Sequence, residues 1–156
     1  MKPFAEWLAQ TAPSLAIQSH EWVIPTIQSI HILAICAFVG SVLMIDLRVL
    51  EWAWRDQTLS ETQDRFGPWA WWALAVLLVT GLLMIVGEPP RELLAISFWM
   101  KMALVGSAAT LQMTLIRRPF QPLAAATFLL WLGVIVLGRL IAYDYVWGGW
   151  STWMKQ

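Results

Sequence analysis

From residue 25 onward the apolar residues come in long unbroken stretches set off by short polar punctuation. They do not alternate with polar residues as they would in a half-buried strand. A helix that crosses a bilayer needs about 20 mostly apolar residues. Four stretches meet that need, over 25–47, 68–87, 93–116 and 123–147. Pro25, Pro68 and Pro122 stand at or just before the expected helix starts, where a missing N–H costs nothing. Glu88-Pro89-Pro90 closes the second stretch and Arg117-Arg118-Pro119 the third. The polar residues of 48–67 are expected to form a loop, with Asp46 and Arg48 as an interfacial pair at its edge. Segment 3–22 lacks an unbroken apolar run and does not read as a signal peptide. It is expected to be an interfacial helix with Phe4, Trp7 and Leu8 dipping into lipid. The fold class is therefore all-α. One domain over 1–156 forms an integral-membrane, up-down four-helix bundle with an N-terminal interfacial helix.

Composition agrees with that class. The chain is 59% hydrophobic and 13% charged, against about 45–50% and about 25% in soluble domains. That excludes a disordered chain and a basic nucleic-acid binder, and names membrane lipid as the first partner. Twelve Trp residues suit a protein with two membrane–water interfaces to anchor. Ten basic residues balance ten acidic ones, so net charge points to no partner. Cys36 is the single cysteine and cannot form an internal disulfide. Arg48, Arg55, Arg65, Arg117 and Arg118 fall in the first and third loops, whereas Lys2, Arg91 and Lys155 fall on the opposite side. By the positive-inside rule both termini face outward from a cytoplasmic membrane.

Ionisable groups within spans are expensive, so each marks a candidate site. His31, Lys101 and Arg139 lie well inside the expected spans. With a rise of about 1.5 Å per residue, all three come to about 9–12 Å below the outer surface. Thr80, on the second span, reaches the same layer. Two cations and an imidazole at one depth repel each other unless something anionic joins them. Haem b suits such a hollow. Its ring takes an apolar slot, its iron takes His31, and its propionates take Lys101 and Arg139, with Thr80 nearby as a hydrogen-bond donor. The second axial position is open between Met84 and His20, the latter folding back over the pocket. A quinone or a lipid phosphate also suits the cationic pair.

Other readings stand beside this one. Lys101 and Arg139 also suit snorkelling to the headgroups, and His31 suits a hydrogen bond that glues two helices together. A cofactor-free accessory subunit is thus the alternative, in a homo-oligomer or with a partner membrane subunit. Met44, Met84, Met100, Met102 and Met113 raise a third reading, a small copper transporter, although no Met-x-x-Met cluster is present. No phosphate loop, nucleophile elbow or HExxH motif is present either. The expectation is a non-catalytic or electron-transfer subunit.

These residues also carry a likeness. A His in the first span is followed by Gly40 and Asp46-Leu47-Arg48, then Thr80-Gly81, Phe98-Trp99-Met100-Lys101 and Gly138-Arg139. The layout resembles a family of uncharacterised four-span bacterial membrane proteins, which implies a place in the bacterial inner membrane. More loosely it is similar to copper-resistance D-type and cytochrome b561-like bundles, and to the membrane protoporphyrinogen oxidase. In that oxidase a His in the first span binds haem and a Lys in the third is needed for activity. The matching positions are His31 and Lys101. The chain has only two His residues, so the likeness implies one His-ligated haem at most and does not carry over the enzymatic activity.

Overall fold

The computed structural model describes residues 1–147, without the side chains of Ser97 and of 139–147. Its elements are α1 (Lys2–Ala9), α2 (Ala12–Gln18), α3 (Val23–Val49), α4 (Leu59–Gly87), α5 (Pro89–Leu93), α6 (Ile96–Arg117) and α7 (Gln121–Trp147). Among the described residues the chain is all-helical. Three helices, α3, α4 and the described part of α7, are long and apolar enough to cross a membrane. Their outward faces are apolar as well: Leu33 is 69% exposed and Leu129 65%. Exposed apolar surface on that scale needs lipid as its solvent. Hence the chain is a membrane protein. Helix α6 is as long as a span but carries Lys101, Ser107, Thr110, Gln112 and Thr114, which lower its apolar content.

Two boundaries depart from the sequence expectation. Helix α4 does not begin at Pro68. It begins at Leu59, and Pro68 lies inside it. The cause is a capping box. The Thr58 backbone N–H donates to Glu61 Oε2 at 2.7 Å, and the Glu61 N–H donates to Thr58 Oγ1 at 3.2 Å. Two orphan donors of the first turn are thereby satisfied, nine residues ahead of the proline. The expected loop shrinks to the few residues after α3. There Glu51 adopts a left-handed φ of 59°, and the Trp52 and Glu51 N–H groups close back on Leu47 and Arg48 carbonyls. That is a Schellman stop built without glycine.

The N-terminal segment differs too. It forms two helices in place of one, because Thr11 is extended (ψ 150°) and Pro13 stands in the first turn of α2. Phe4 and Trp7 are exposed, as an interfacial segment requires, while Ala5 is fully buried. Helix α1 packs on α5, and α2 on α4. The absence of a side chain at Gly87 lets α2 come in, since a Cβ there would lie 2.9 Å from Ile17 Cγ2. The segment thus covers one end of the helix array.

Helix α3 packs on α4 and α7, and α7 packs on α6. Between them lies a core of Phe38, Val42, Ala73, Ala108, Trp131 and Val134. Phe38 and Trp131 meet edge to face at 4.7 Å, a favoured aromatic geometry. Toward the 49 end of α3 a buried polar knot replaces apolar packing. Gln112 Nε2 donates to Asp46 Oδ1 and Thr127 Oγ1 to Asp46 Oδ2, each at 3.1 Å. Asp46 is therefore not an interfacial partner of Arg48. It is fully buried, and Arg48 turns instead to the Gln57 carbonyl at 2.5 Å. Residues two apart on a helix point to different faces, which explains the split.

Candidate functional site in the helix array

On the other side of the aromatic core from Asp46 lies a cavity of about 260 Å3. Its walls are mostly apolar, and its polar members are few: His31, Lys101 and Glu92. Each comes from a different element, α3, α6 and α5. Lining groups from α4 include Leu77, Gly81 and Met84, and α7 adds Trp131 and Val134.

His31 is fixed by a hydrogen bond of 2.6 Å between its Nδ1 and Thr80 Oγ1. The Thr80 hydroxyl also lies 2.7 Å from the Val76 carbonyl. When its one hydrogen goes to that carbonyl, the Thr80 oxygen accepts from His31 and the imidazole hydrogen sits on Nδ1. In a neutral ring that leaves a lone pair on Nε2. Gly81 and Gly138 lie beside the two ionisable side chains: a Cβ at Gly81 would stand 3.7 Å from His31 Cε1, and one at Gly138 3.7 Å from Lys101 Cε, both ordinary van der Waals contacts.

Glu92 is the member that sequence reasoning missed. It was placed in a connection between spans and given no role. Pro89 and Pro90 occupy the first turn of α5, where fixed φ values favour a helical start. That single turn swings Glu92 inward, to 6% exposure. Burial raises its carboxyl above the ordinary 4.5, against the pull of Arg91 and Lys101. Glu92 and Lys101 share the cavity without ion-pair contact. Among the described residues the ion pair is Arg91 Nη1 with Glu88 Oε2, at 2.5 Å. The cationic character expected for the hollow is therefore offset by a carboxylate from the protein itself.

The structure brings His31, Thr80, Met84 and Lys101 to this one place. The Arg139 side chain lies outside the described residues. His20 does not come to the cavity, which corrects the expectation that it folds back. It is exposed, and its Nδ1 is 2.8 Å from Ser19 Oγ. Helix α3 already starts at Val23 and runs straight through Pro25, so His20 is held beyond its end. Of the methionines, Met84 and Met102 line the cavity, and Met44 lies in a separate shallow groove with Cys36 and Trp69. Among the described residues no three His, Cys, Asp or Glu side chains cluster as metal ligands.

The model of the Family of unknown function (DUF6644) matches residues 6–144, nearly the whole chain, and the chain belongs to that family. No curated protein and no solved structure matches it.

Proposed function

We propose that the chain is a small integral-membrane binding protein for a lipophilic redox cofactor, acting as an electron-transfer subunit and not as an enzyme. The observation that carries this reading is the His31–Thr80 pair. It fixes an imidazole at the wall of a mostly apolar cavity that also holds Lys101 and Met84. A buried titratable group in an apolar pocket with a few convergent polar groups is the usual signature of a binding site.

Haem b is the cofactor whose axial chemistry these donors meet. His31 Nε2 would hold the iron, with Met84 as the other candidate ligand and Lys101, together with Arg139, toward the propionates. When bound, the group would supply a one-electron couple. The chain's own residues would lock the imidazole tautomer through Thr80, keep water out with Phe38, Trp131 and Val134, and present positive charge from Lys101. The space is tight, because about 260 Å3 is below the ~300–1,000 Å3 of most ligand pockets. A macrocycle would need a wall to part.

In this reading α6 crosses the bilayer with the three more apolar helices, in an up-down array. The Lys/Arg bias puts both termini outside a bacterial inner membrane. The electron partner is a quinone or a neighbouring membrane subunit. An absorption spectrum of the purified full chain tests it. The expected result is a Soret band that His31→Ala removes. A folded, colourless protein that takes up no added haemin rejects haem.

A second reading, a cofactor-free accessory subunit, is favoured by one observation. Glu92 provides a counter-charge near Lys101, so no anionic guest is required. In that case Lys101→Met lowers the yield of folded protein or of assembled complex and changes no spectrum.

A further inference from the structure

The cavity is open on one side. Helices α4, α3, α7 and α6 pack in that order around it, but α4 and α6 have at most marginal contact with each other. Residues on those two edges are cavity lining and outer surface at once. Leu78 is 61% exposed, Leu82 62% and Met102 39%, and all three line the cavity. Their outward neighbour Val79 is 58% exposed. The opening therefore faces hydrocarbon, at membrane depth.

The inner wall is different. His31 presents an imidazole held through Nδ1 by Thr80, and Lys101 presents an ammonium. Trp131 also lines the cavity, but its Nε1–H is sealed from the open space and offers the site no donor. The site thus offers an imidazole and an ammonium at the end of an apolar slot that opens sideways.

We infer that the occupant enters from within the bilayer, between α4 and α6, and is of the quinone/quinol class: one aromatic ring with oxygen on opposite edges and a hydrocarbon tail. This rests on the reading of the cavity as a redox-ligand site and narrows it. A ring carbonyl accepts from Lys101, and the opposite ring oxygen hydrogen-bonds the His31 nitrogen that Thr80 leaves free. A single substituted ring is far smaller than a porphyrin and needs no wall to move. The tail leaves over Leu78, Leu82 and Met102. An acyl chain alone would have no use for the imidazole and the ammonium, and Glu92 opposes an anionic headgroup beside Lys101.

The test uses the full chain in phosphatidylcholine nanodiscs with an azido-substituted decylubiquinone, irradiated and mapped by peptide mass spectrometry. The expected result is saturable labelling within 74–85 and 98–105. Lys101→Met should cut it about tenfold or more, as loss of a charged hydrogen bond would. Lys101→Arg should retain it. Leu82→Trp, which narrows the opening from the lipid side and leaves the core intact, should also cut it. Labelling that does not saturate, or that none of these variants changes, overturns the proposal. So does saturable labelling by a photoreactive phospholipid at the same peptides with none by the quinone. A Soret band without saturable quinone labelling overturns the quinone class and leaves the redox-cofactor reading standing. Neither pigment nor labelling overturns both.

Discussion

Thr80 Oγ1 stands 2.6 Å from His31 Nδ1 and 2.7 Å from the Val76 carbonyl oxygen. One hydroxyl on α4 thus joins that helix to α3, and with its hydrogen on the Val76 carbonyl it holds the imidazole as the Nδ1–H tautomer. Thr80→Val keeps the shape and removes the acceptor. It should cost about 1–3 kcal/mol, because a buried N–H is left unpaired. Thr80→Ser should recover most of the loss. Thermal unfolding in detergent reads the stability. The 15N shifts of the His31 ring read the tautomer, which should be Nδ1–H in the native chain and mixed in Thr80→Val.

The Asp46 knot joins α3 to α6 and α7 through Gln112 and Thr127. Asp46→Ala strips Gln112 Nε2 of its acceptor, while Thr127 keeps the Ala124 carbonyl at 2.9 Å, and should cost about 1–3 kcal/mol. Thr127→Val alone should cost about 1 kcal/mol. The double variant should lose less than the sum, with a coupling of about 0.5–3 kcal/mol. Additive losses in a denaturation cycle would show that the two groups do not act on each other.

Glu92 sets a pH dependence whose sign is opposite to that of a salt-bridged carboxylate. Burial raises its folded-state pKa above 4.5, so the folded chain holds the proton more tightly than the unfolded one. That contribution to stability is complete below 4.5 and is lost as the pH rises through the raised value. Melting temperature should therefore fall with rising pH across that window, and the fall should be absent in Glu92→Gln. Comparing the two chains at each pH cancels the other carboxylates. Parallel curves would exclude this role for Glu92.

Gly87 and Ile17 form the contact that holds the N-terminal segment on α4. Gly87→Ala puts a Cβ 2.9 Å from Ile17 Cγ2, so α2 must shift. An overpacking cost of about 1–2 kcal/mol is expected. Ile17→Ala in the same chain removes the clashing atom and should return part of it. Hydrogen exchange should show the change confined to 12–24 and the last turn of α4.

Some of this molecule was legible before any coordinates. The long helices were, because hydrocarbon leaves a backbone no partner but itself and so demands continuous apolar helices of known length. Counting residues inward from the expected helix ends puts His31, Thr80, Lys101 and Arg139 in one layer; the structure brings the first three to one cavity, and the Arg139 side chain lies outside the described residues. Pro68 marks an apparent helix start in the sequence, but the Thr58-x-x-Glu61 capping box begins α4 earlier. Asp46 and Arg48 are close in sequence, but their two-residue spacing puts them on different faces. Glu92 and Trp131 gave no signal of their own. The first depends on how one proline-started turn leans, and the second on which face of α7 meets α3.

The amino-acid order alone decided the solvent of this protein and its helical class, since those follow from transfer free energies and a fixed rise per residue. Only the packed structure decided which polar groups share a space, that a carboxylate stands near the half-buried lysine, and that α4 and α6 leave a gap between them. Those outcomes depend on helix rotation, on crossing geometry and on the absent side chain of Gly87. They are relations between distant residues and have no local signature along the chain.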